Sequence, residues 1–381
     1  MYNEPLRQTW VEIDLGALDH NIKAIKARLR PETQVIGVVK ADAYGHGAVR
    51  CAEVLRANGV SRFAVATLQE ARTLREAGFD EKIVVLGIVA DEFADVVVQE
   101  DLVPVISSVE SAERLSAAAL AQGRRVSCFI KLDTGMGRIG FPVRNGADVD
   151  RAVEAIREIN DFEGLRIVGL MSHFSSSDEY ERAYTDSQLQ CFEEVYARLS
   201  AAGVDLLWRT IANSAAIIQY PATLFEAVRP GIILYGCYPS DEVDRSVIDL
   251  RPVMSVRANI VHVKTVPVGT CVSYGRRFTA DRETRIATIS IGYADGYSRA
   301  LSGKAEVLVK GVRVPVVGNI CMDQCMIDVT DVPDVKRGDP VTVMGRDGDE
   351  EITAEELAAK LGTINYEVLC DFGLRLDKVY V

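Results

Sequence analysis

The sequence predicts an α/β protein: an N-terminal (β/α)8 TIM-like barrel followed by a C-terminal, mostly β domain. Two observations carry this. From about residue 35, short apolar, β-branched runs alternate with longer segments of helical period, and eight such runs follow without a break in composition. After about Asp241 the helical period fades, and strand-like runs separated by turns containing Gly or Pro replace it. An open doubly wound sheet also alternates strands and helices, but eight units in series favour closure.

The eight runs are Val35–Lys40, Arg62–Thr67, Lys82–Gly87, Val103–Ser107, Val126–Leu132, Arg166–Ser172, Leu207–Ala212 and roughly Ala227–Tyr235. Before the first, Leu15, Leu18, Ile22, Ile25 and Leu29 recur at helical spacing, and Thr67 with Glu70 forms a capping box after the second run. Later strands are expected at Val253–Val266, Arg285–Ile291, Ala305–Leu308, Val312–Val317, Cys325–Val329 and Pro340–Val343. One late helix is framed by a Thr353/Glu356 capping box and a Gly362 stop, with Leu357 and Leu361 on one face. The expected domains are residues 1–244 and 245–381, with about ten opening residues able to pack on the β domain. The sequence shows no repeat, low-complexity tract or long linker.

Forty-three Lys and Arg against 55 Asp and Glu give a net charge of −12, which argues against nucleic acid or an anionic membrane as the main partner. No apolar run approaches the roughly 18 residues of a membrane span. The opening decapeptide has neither the basic flank nor the apolar stretch of an export signal. Eight scattered cysteines read as reduced thiols, so the cytoplasm is the expected compartment.

Barrel active sites sit at the carboxyl ends of the strands. The first run ends in Lys40, followed by Ala-Asp-Ala-Tyr44-Gly-His-Gly47. Desolvation at such a place favours the neutral amine, as a nucleophilic, Schiff-base-forming lysine requires; a lysine snorkelling at the rim is the plainer alternative. Tyr44 would share its side if a helical turn starts there. The seventh and eighth runs end at Asn213-Ser214 and Arg229-Pro-Gly231-Ile232, which offer N–H and hydroxyl donors and a close backbone approach suited to phosphate, although Asn or Ser also caps helices. An amine facing a phosphate cradle is the pair that pyridoxal 5′-phosphate (PLP) needs.

Gly135-Met-Gly137-Arg-Ile-Gly140 matches the dinucleotide G-x-G-x-x-G pattern, but Pro142 follows at once, no helix opens within it, and Glu158 and Asp161 do not follow a second strand. No metal site is expected, because His20, His46, His173 and His262 are dispersed and Cys321/Cys325 has no second pair. His173, after the sixth run, is placed to face the site.

Several segments together resemble the PLP-dependent, fold-type III alanine racemases. They are Glu12-Ile-Asp-Leu-Gly16, Val38-Val-Lys40-Ala-Asp-Ala-Tyr44-Gly-His-Gly47, Lys131-Leu-Asp-Thr-Gly-Met-Gly-Arg138-Ile-Gly, Asn213-Ser214, Arg229-Pro-Gly-Ile232, Ser273-Tyr274-Gly, Gly292-Tyr293-Ala-Asp-Gly296 and Gly318-Asn-Ile-Cys-Met322-Asp323-Gln324. They run in family order through both domains.

The resemblance implies interconversion of L- and D-alanine by two bases, supplying D-alanine for peptidoglycan. Lys40 would hold PLP covalently and serve as one base, with Tyr274 from the neighbouring subunit of a homodimer as the other. Tyr44, Asn213, Ser214, Gly231, Ile232 and Tyr366 would surround the cofactor, His173 and Arg229 would form the relay that makes Tyr274 basic, and Arg229 would face the pyridine nitrogen. Arg138, Met322 and Tyr274 would meet the substrate, supported by Tyr293, Asp323 and a Lys131 that many relatives carbamylate. The chain departs from the commoner pattern at Phe174-Ser-Ser-Ser-Asp178, Arg277 and Gly296-Tyr-Ser298. The rival readings are a serine or broad-specificity racemase, a decarboxylase on the same barrel, and a non-catalytic PLP-binding protein.

Overall fold

In a computed structural model of the chain, residues 8–373 and 375–381 are described. Strand β1 (Thr9–Ile13) and helix α1 (Leu15–Ala27) precede the alternating region, where β2 (Gln34–Val35) and β3 (Gly37–Val38) are one strand interrupted at Ile36. Then come α2 (Lys40–Tyr44), α3 (Ala48–Ala57), β4 (Arg62–Val65), α4 (Leu68–Glu76), β5 (Lys82–Val85), α5 (Ala94–Gln99), β6 (Leu102–Ile106), α6 (Val109–Ala121) and β7 (Val126–Asp133). The series ends with β8 (Phe141–Pro142), α7 (Gly146–Asn160), β9 (Leu165–Met171), α8 (Ala183–Ala201), β10 (Trp208–Thr210), α9 (Ser214–Gln219) and β11 (Ala227–Val228). By their contacts the described residues divide into two units, one of 19–43 and 48–250, the other of 8–18, 44–47, 251–373 and 375–381.

In the first unit the strands pair in parallel in the order β3-β4-β5-β6-β7-β9-β10. The ring then closes: β11 pairs in parallel with β2, Ile36 N–H donates to Val228 O (2.9 Å) and Val38 N–H to Pro230 O (3.1 Å), while Arg229 N–H donates to Ala212 O (3.0 Å) just beyond β10. A strand covered on both faces must be apolar throughout, and all five residues of β6 are buried. Closure and the eight-strand count are as the sequence predicts.

Some strand ends differ. The second strand stops at Val65, not Thr67, because the N–H groups of Ala66 and Thr67 donate to the Glu70 carboxylate. The eighth keeps only Ala227–Val228: Pro230 lacks an N–H, and Ile232–Tyr235 curls into a 3₁₀ turn. No helix opens within 135–140; the chain crosses that loop and returns as β8 beside β7.

The second unit holds β1, β12 (Met254–Val266), β13 (Cys271–Val272), β14 (Phe278–Thr279), β15 (Thr284–Ile289), β16 (Glu306–Val309), β17 (Val312–Val317), β18 (Cys325–Asp328), β19 (Pro340–Asp347), β20 (Glu350–Ile352) and β21 (Asp377–Tyr380). Its sheet runs β20-β19-β16-β17-β18-β15-β12-β1-β21, and a further antiparallel pairing of β12 with β19 folds it back on itself. The first half of β12 alternates buried and partly buried residues, placing Met254, Val256, Ala258 and Ile260 inside. Of the opening residues, 1–7 lie outside the described ones; Gln8 O accepts from Asn259 N–H (2.8 Å) and β1 pairs with β12 and β21.

Thr353 caps α10 (Ala354–Leu361) by accepting from Glu356 N–H (3.1 Å), and Gly362 ends it in the left-handed region. The expected return bond of a capping box is replaced: the Glu356 carboxylate accepts from Arg313 instead (3.0 and 3.1 Å). Helix α11 (Asn365–Asp371) follows and carries Tyr366. Among the described residues no helix is long and apolar enough to cross a membrane, and none of the eight cysteines is in a disulfide.

Candidate active site

Lys40 begins where the first barrel strand ends, immediately after Val39, whose N–H is bound to Ala64 O at 2.9 Å. A turn starts here, but it is left-handed: Ala41, Asp42, Ala43 and Tyr44 have φ of 51°, 51°, 57° and 54°. Such a backbone costs L-residues about 1–2 kcal/mol each, so the turn has to be held by its surroundings. Ala41 N–H donates to Glu70 Oε1 (2.7 Å), Ala43 N–H to Val39 O (2.9 Å), and Asp42 Oδ1 accepts from Ala48 N–H (2.7 Å) at the start of α3. The direction in which Lys40 leaves its strand is thereby fixed.

The other carboxyl ends contribute a cluster of basic groups. Lys131 lies buried on β7, Arg138 follows in the loop, His173 lies beyond β9 and Arg229 beyond β11. Arg229 is anchored on three sides: Nη1 donates to Thr210 Oγ1 (2.6 Å), and Nη2 to Ser172 O (2.6 Å) and to His173 Nδ1 (3.3 Å). A guanidinium can only donate, so Nδ1 is the acceptor, and a neutral His173 carries its proton on Nε2.

Burial and mutual repulsion set the protonation states. Lys131 is held well below the usual lysine range by burial, then by Arg229 and Arg138, with Asp133 opposing. His173 is pushed well below 6.5 by burial, then by Arg229, Lys131, Arg138 and Lys40. Arg229 is lowered to about 9 by burial and Arg138, and so stays charged at neutral pH. Lys131 and Arg229 are buried, Lys40 and His173 partly buried and Arg138 exposed, and this collection of positive or positive-capable groups suits an anionic guest.

Beside it, Ser214 Oγ accepts from Gly231 N–H at 3.0 Å, tying the loops after β10 and β11 together. A phosphate could take both groups as donors. Asn213 is engaged elsewhere, since its Oδ1 caps α9 through Ala216 N–H (3.0 Å) and accepts from Ser177 Oγ (2.9 Å). Ile232 is fully buried at the start of the 3₁₀ turn.

The remaining expected residues belong to the second unit. Tyr274 is 70% exposed and follows Ser273, itself at φ 66°. Its carbonyl accepts from Asn319 Nδ2 at 2.6 Å, and Ser273 Oγ donates to Asn319 O at 2.5 Å. Met322 is 53% exposed; its carbonyl accepts from Ala294 N–H (3.0 Å), while Tyr293 N–H donates to Cys321 O (3.0 Å), so these two loops are joined. Asp323 is paired with Arg375 at 2.8 Å. The rings of Tyr44 and Tyr366 meet at 6.1 Å, and burial raises the Tyr44 phenol.

Both units of the chain match known proteins. A family profile for the alanine racemase N-terminal domain matches residues 13–239, and one for the C-terminal domain matches 253–380. Alanine racemase 1 of Clostridium acetobutylicum is 46% identical over 376 residues, covering 99% of this chain and 96% of the relative. The chain belongs to the alanine racemase family. The alanine racemase of Methanococcus maripaludis is 44% identical over 98% of both chains. Among solved structures, alanine racemase of Clostridium difficile 630 superposes with a TM-score of 0.94 at 39% identity, covering 99% of this chain and 97% of that one. The Bacillus anthracis alanine racemase with bound L-Ala-P gives 0.91 at 37%, covering 99% and 96%.

Within this alanine racemase fold, sequence reasoning missed the residues that hold the others in place: Glu70 at the Lys40 turn, Ser172 and Thr210 under Arg229, and Gln188 on α8. Only Glu70 carried a signal, and it was a signal of helix capping.

Proposed function

We propose that this chain is a PLP-dependent alanine racemase that interconverts L- and D-alanine with two bases, Lys40 and Tyr274. The observation that carries this reading is the set of basic groups at one end of the barrel: Lys40 on its braced turn, with Lys131, Arg138, His173 and Arg229, together lowering the proton affinity of Lys131, His173 and Arg229. The donor set fits PLP: an amine for its aldehyde, the Ser214 hydroxyl and Gly231 N–H for its phosphate, and an anchored cation in Arg229. Bound PLP supplies an electron-withdrawing ring that makes the Cα proton of an attached amino acid removable.

Inversion requires a proton to leave one face of Cα and another to arrive at the opposite face, so two groups are needed. Lys40 serves one face. Tyr274 serves the other, with His173 and Arg229, joined at 3.3 Å, as the relay behind it. The ring is 70% exposed in its own chain, which supports a role across the interface of a homodimer. Met322, also exposed, joins it there, with Asp323 and Tyr293 supporting, while Tyr44 and Tyr366 line the cofactor.

Arg138 binds the substrate carboxylate. Lys131, whose proton affinity is lowered by burial and then by Arg229 and Arg138, is suited to add CO₂ and lose a proton, giving a carbamate anion that both arginines stabilise. An amino-acid substrate agrees with the relatives solved with cycloserine and with L-Ala-P. The expected setting is the cytoplasm, with D-alanine passing to peptidoglycan.

The test is to follow loss of optical activity from L-alanine by the purified protein and to map the site of PLP after borohydride reduction. Racemisation with the pyridoxyl group on Lys40 is the expected result. A label on another lysine, or a higher kcat/KM for serine, would overturn the assignment.

A further inference from the structure

We propose that Gln188 is a positioning residue for this reaction: from within α8 it clamps the loop carrying Arg138 to the segment carrying His173. The proposal rests on the active-site reading above and adds a residue outside the expected set.

Gln188 is fully buried, and its carboxamide makes four hydrogen bonds. Nε2 donates to His173 O (3.1 Å) and Thr134 Oγ1 (3.3 Å), while Oε1 accepts from Ser175 N–H (3.1 Å) and Ser175 Oγ (3.0 Å). Two donors and two acceptor positions are all that an amide has, so its capacity is filled. The orientation is fixed as well: a carbonyl can only accept and a backbone N–H can only donate.

The chain of bonds continues in one direction. Ser172 Oγ donates to Leu132 O (2.9 Å), so Thr134 Oγ1 donates to Ser172 Oγ (2.8 Å) and accepts from Gln188. Ser172 O is also the anchor of Arg229. One buried amide thus couples the loop after β7 to the segment after β9, and through Ser172 to the guanidinium beside His173. One turn earlier on α8, Tyr184 OH donates to Gly135 O (2.8 Å), a second attachment confined to the Arg138 loop. Asp133 braces the same loop from its base, accepting from Gly135 and Gly137 N–H (3.0 and 2.8 Å).

The two attachments predict different consequences. Gln188→Glu keeps the shape and loses both donors, turning an acceptor towards His173 O; Tyr184→Phe removes only the bond to Gly135. In the holoenzyme, Gln188→Glu should speed amide exchange at 134–140 and at 172–176 by about tenfold or more, leaving Leu102–Ile106 unchanged, and should lower kcat/KM on the order of 10- to 100-fold with kcat affected. Tyr184→Phe should speed exchange at 134–140 alone and raise KM for alanine while kcat holds.

Unchanged exchange in both segments of folded Gln188→Glu, or acceleration spread evenly over the chain, would overturn the proposal. Should Gln188→Glu not fold, Thr134→Val decides: it removes the amide's bond to the Arg138 loop while leaving those to His173 O and Ser175, and unchanged exchange at 134–140 rejects the clamp. An unsubstituted protein that leaves alanine untouched would refute the function reading instead, while the exchange pattern still decides the clamp.

Discussion

Glu70 accepts the backbone N–H of Ala41 at 2.7 Å, so a helix cap also holds the residue that follows Lys40. Its other oxygen accepts from Ala66 and Thr67 (2.7 and 3.1 Å), closing the box with Thr67 at the start of α4. One carboxylate ends a barrel strand, starts a helix and steadies a left-handed turn.

Replacing Glu70 by Ala should therefore do more than uncap a helix. Loss of the cap and of charge-assisted bonds to backbone predicts destabilisation of about 2 kcal/mol, read from urea unfolding. Because the turn after Lys40 loses its outer brace, activity should fall further than in a variant that damages the cap alone, such as Thr67→Ala. Equal activity in the two variants would show that the Ala41 bond is idle.

His173 makes a prediction about pH. Its folded-state pKa lies well below the 6.5 of the unfolded chain, chiefly through burial and then through Arg229. Below pH 6.5 the unfolded chain takes up a proton that the folded protein refuses, so stability is lost as pH falls, by at most about 1.4 kcal/mol per pH unit from this group. His173→Gln should flatten the slope of Tm between pH 6.5 and 5 in the unliganded protein. A slope unchanged by the substitution would mean that His173 titrates normally.

The readable parts of the fold and the site are those where one residue type carries its own reason. Strands buried on both faces must be apolar runs, so all eight were visible, and the Thr67 cap was legible from spacing. Strand ends were not, because they depend on who takes the next N–H: Glu70 does so at Ala66, and Pro230 has none to give. The left-handed turn at Ala41–Tyr44 was hidden since Ala and Tyr carry no signature of positive φ. The basic cluster could be named residue by residue, yet only closure of the barrel brings Lys131, His173 and Arg229 within range of each other. Gln188 was invisible for a plainer reason: in a helix, a buried glutamine looks like any polar residue until its partners are known.

Lys131 should be chemically modified. A buried amine whose proton affinity is lowered by burial and then by Arg229 and Arg138 is open to CO₂, and the product anion offsets their positive charge. Protein equilibrated with ¹³C-bicarbonate should show one carbamate resonance that Lys131→Gln lacks, and acidification should discharge it because protonated carbamates lose CO₂. Absence of that resonance at saturating bicarbonate would leave Lys131 as a plain buried amine, and a destabilising one: Lys131→Met would then raise the Tm at neutral pH, since the unfolded chain protonates this amine and the folded one resists it.

The exposed Tyr274 allows the shared site to be tested without knowing how tightly two copies bind. Tyr274→Ala should reduce racemisation by about 10²- to 10⁴-fold and should block solvent exchange at Cα from one enantiomer far more than from the other. Lys40→Ala should be inactive by itself. If each site takes Lys40 from one chain and Tyr274 from its neighbour, subunits of the two variants, dissociated and reassociated in equal amounts, recover activity: half the dimers are mixed, each with one intact site, giving about a quarter of the native turnover. If both bases came from the same chain, no mixed dimer would hold an intact pair, and the mixture would stay as inactive as its parents.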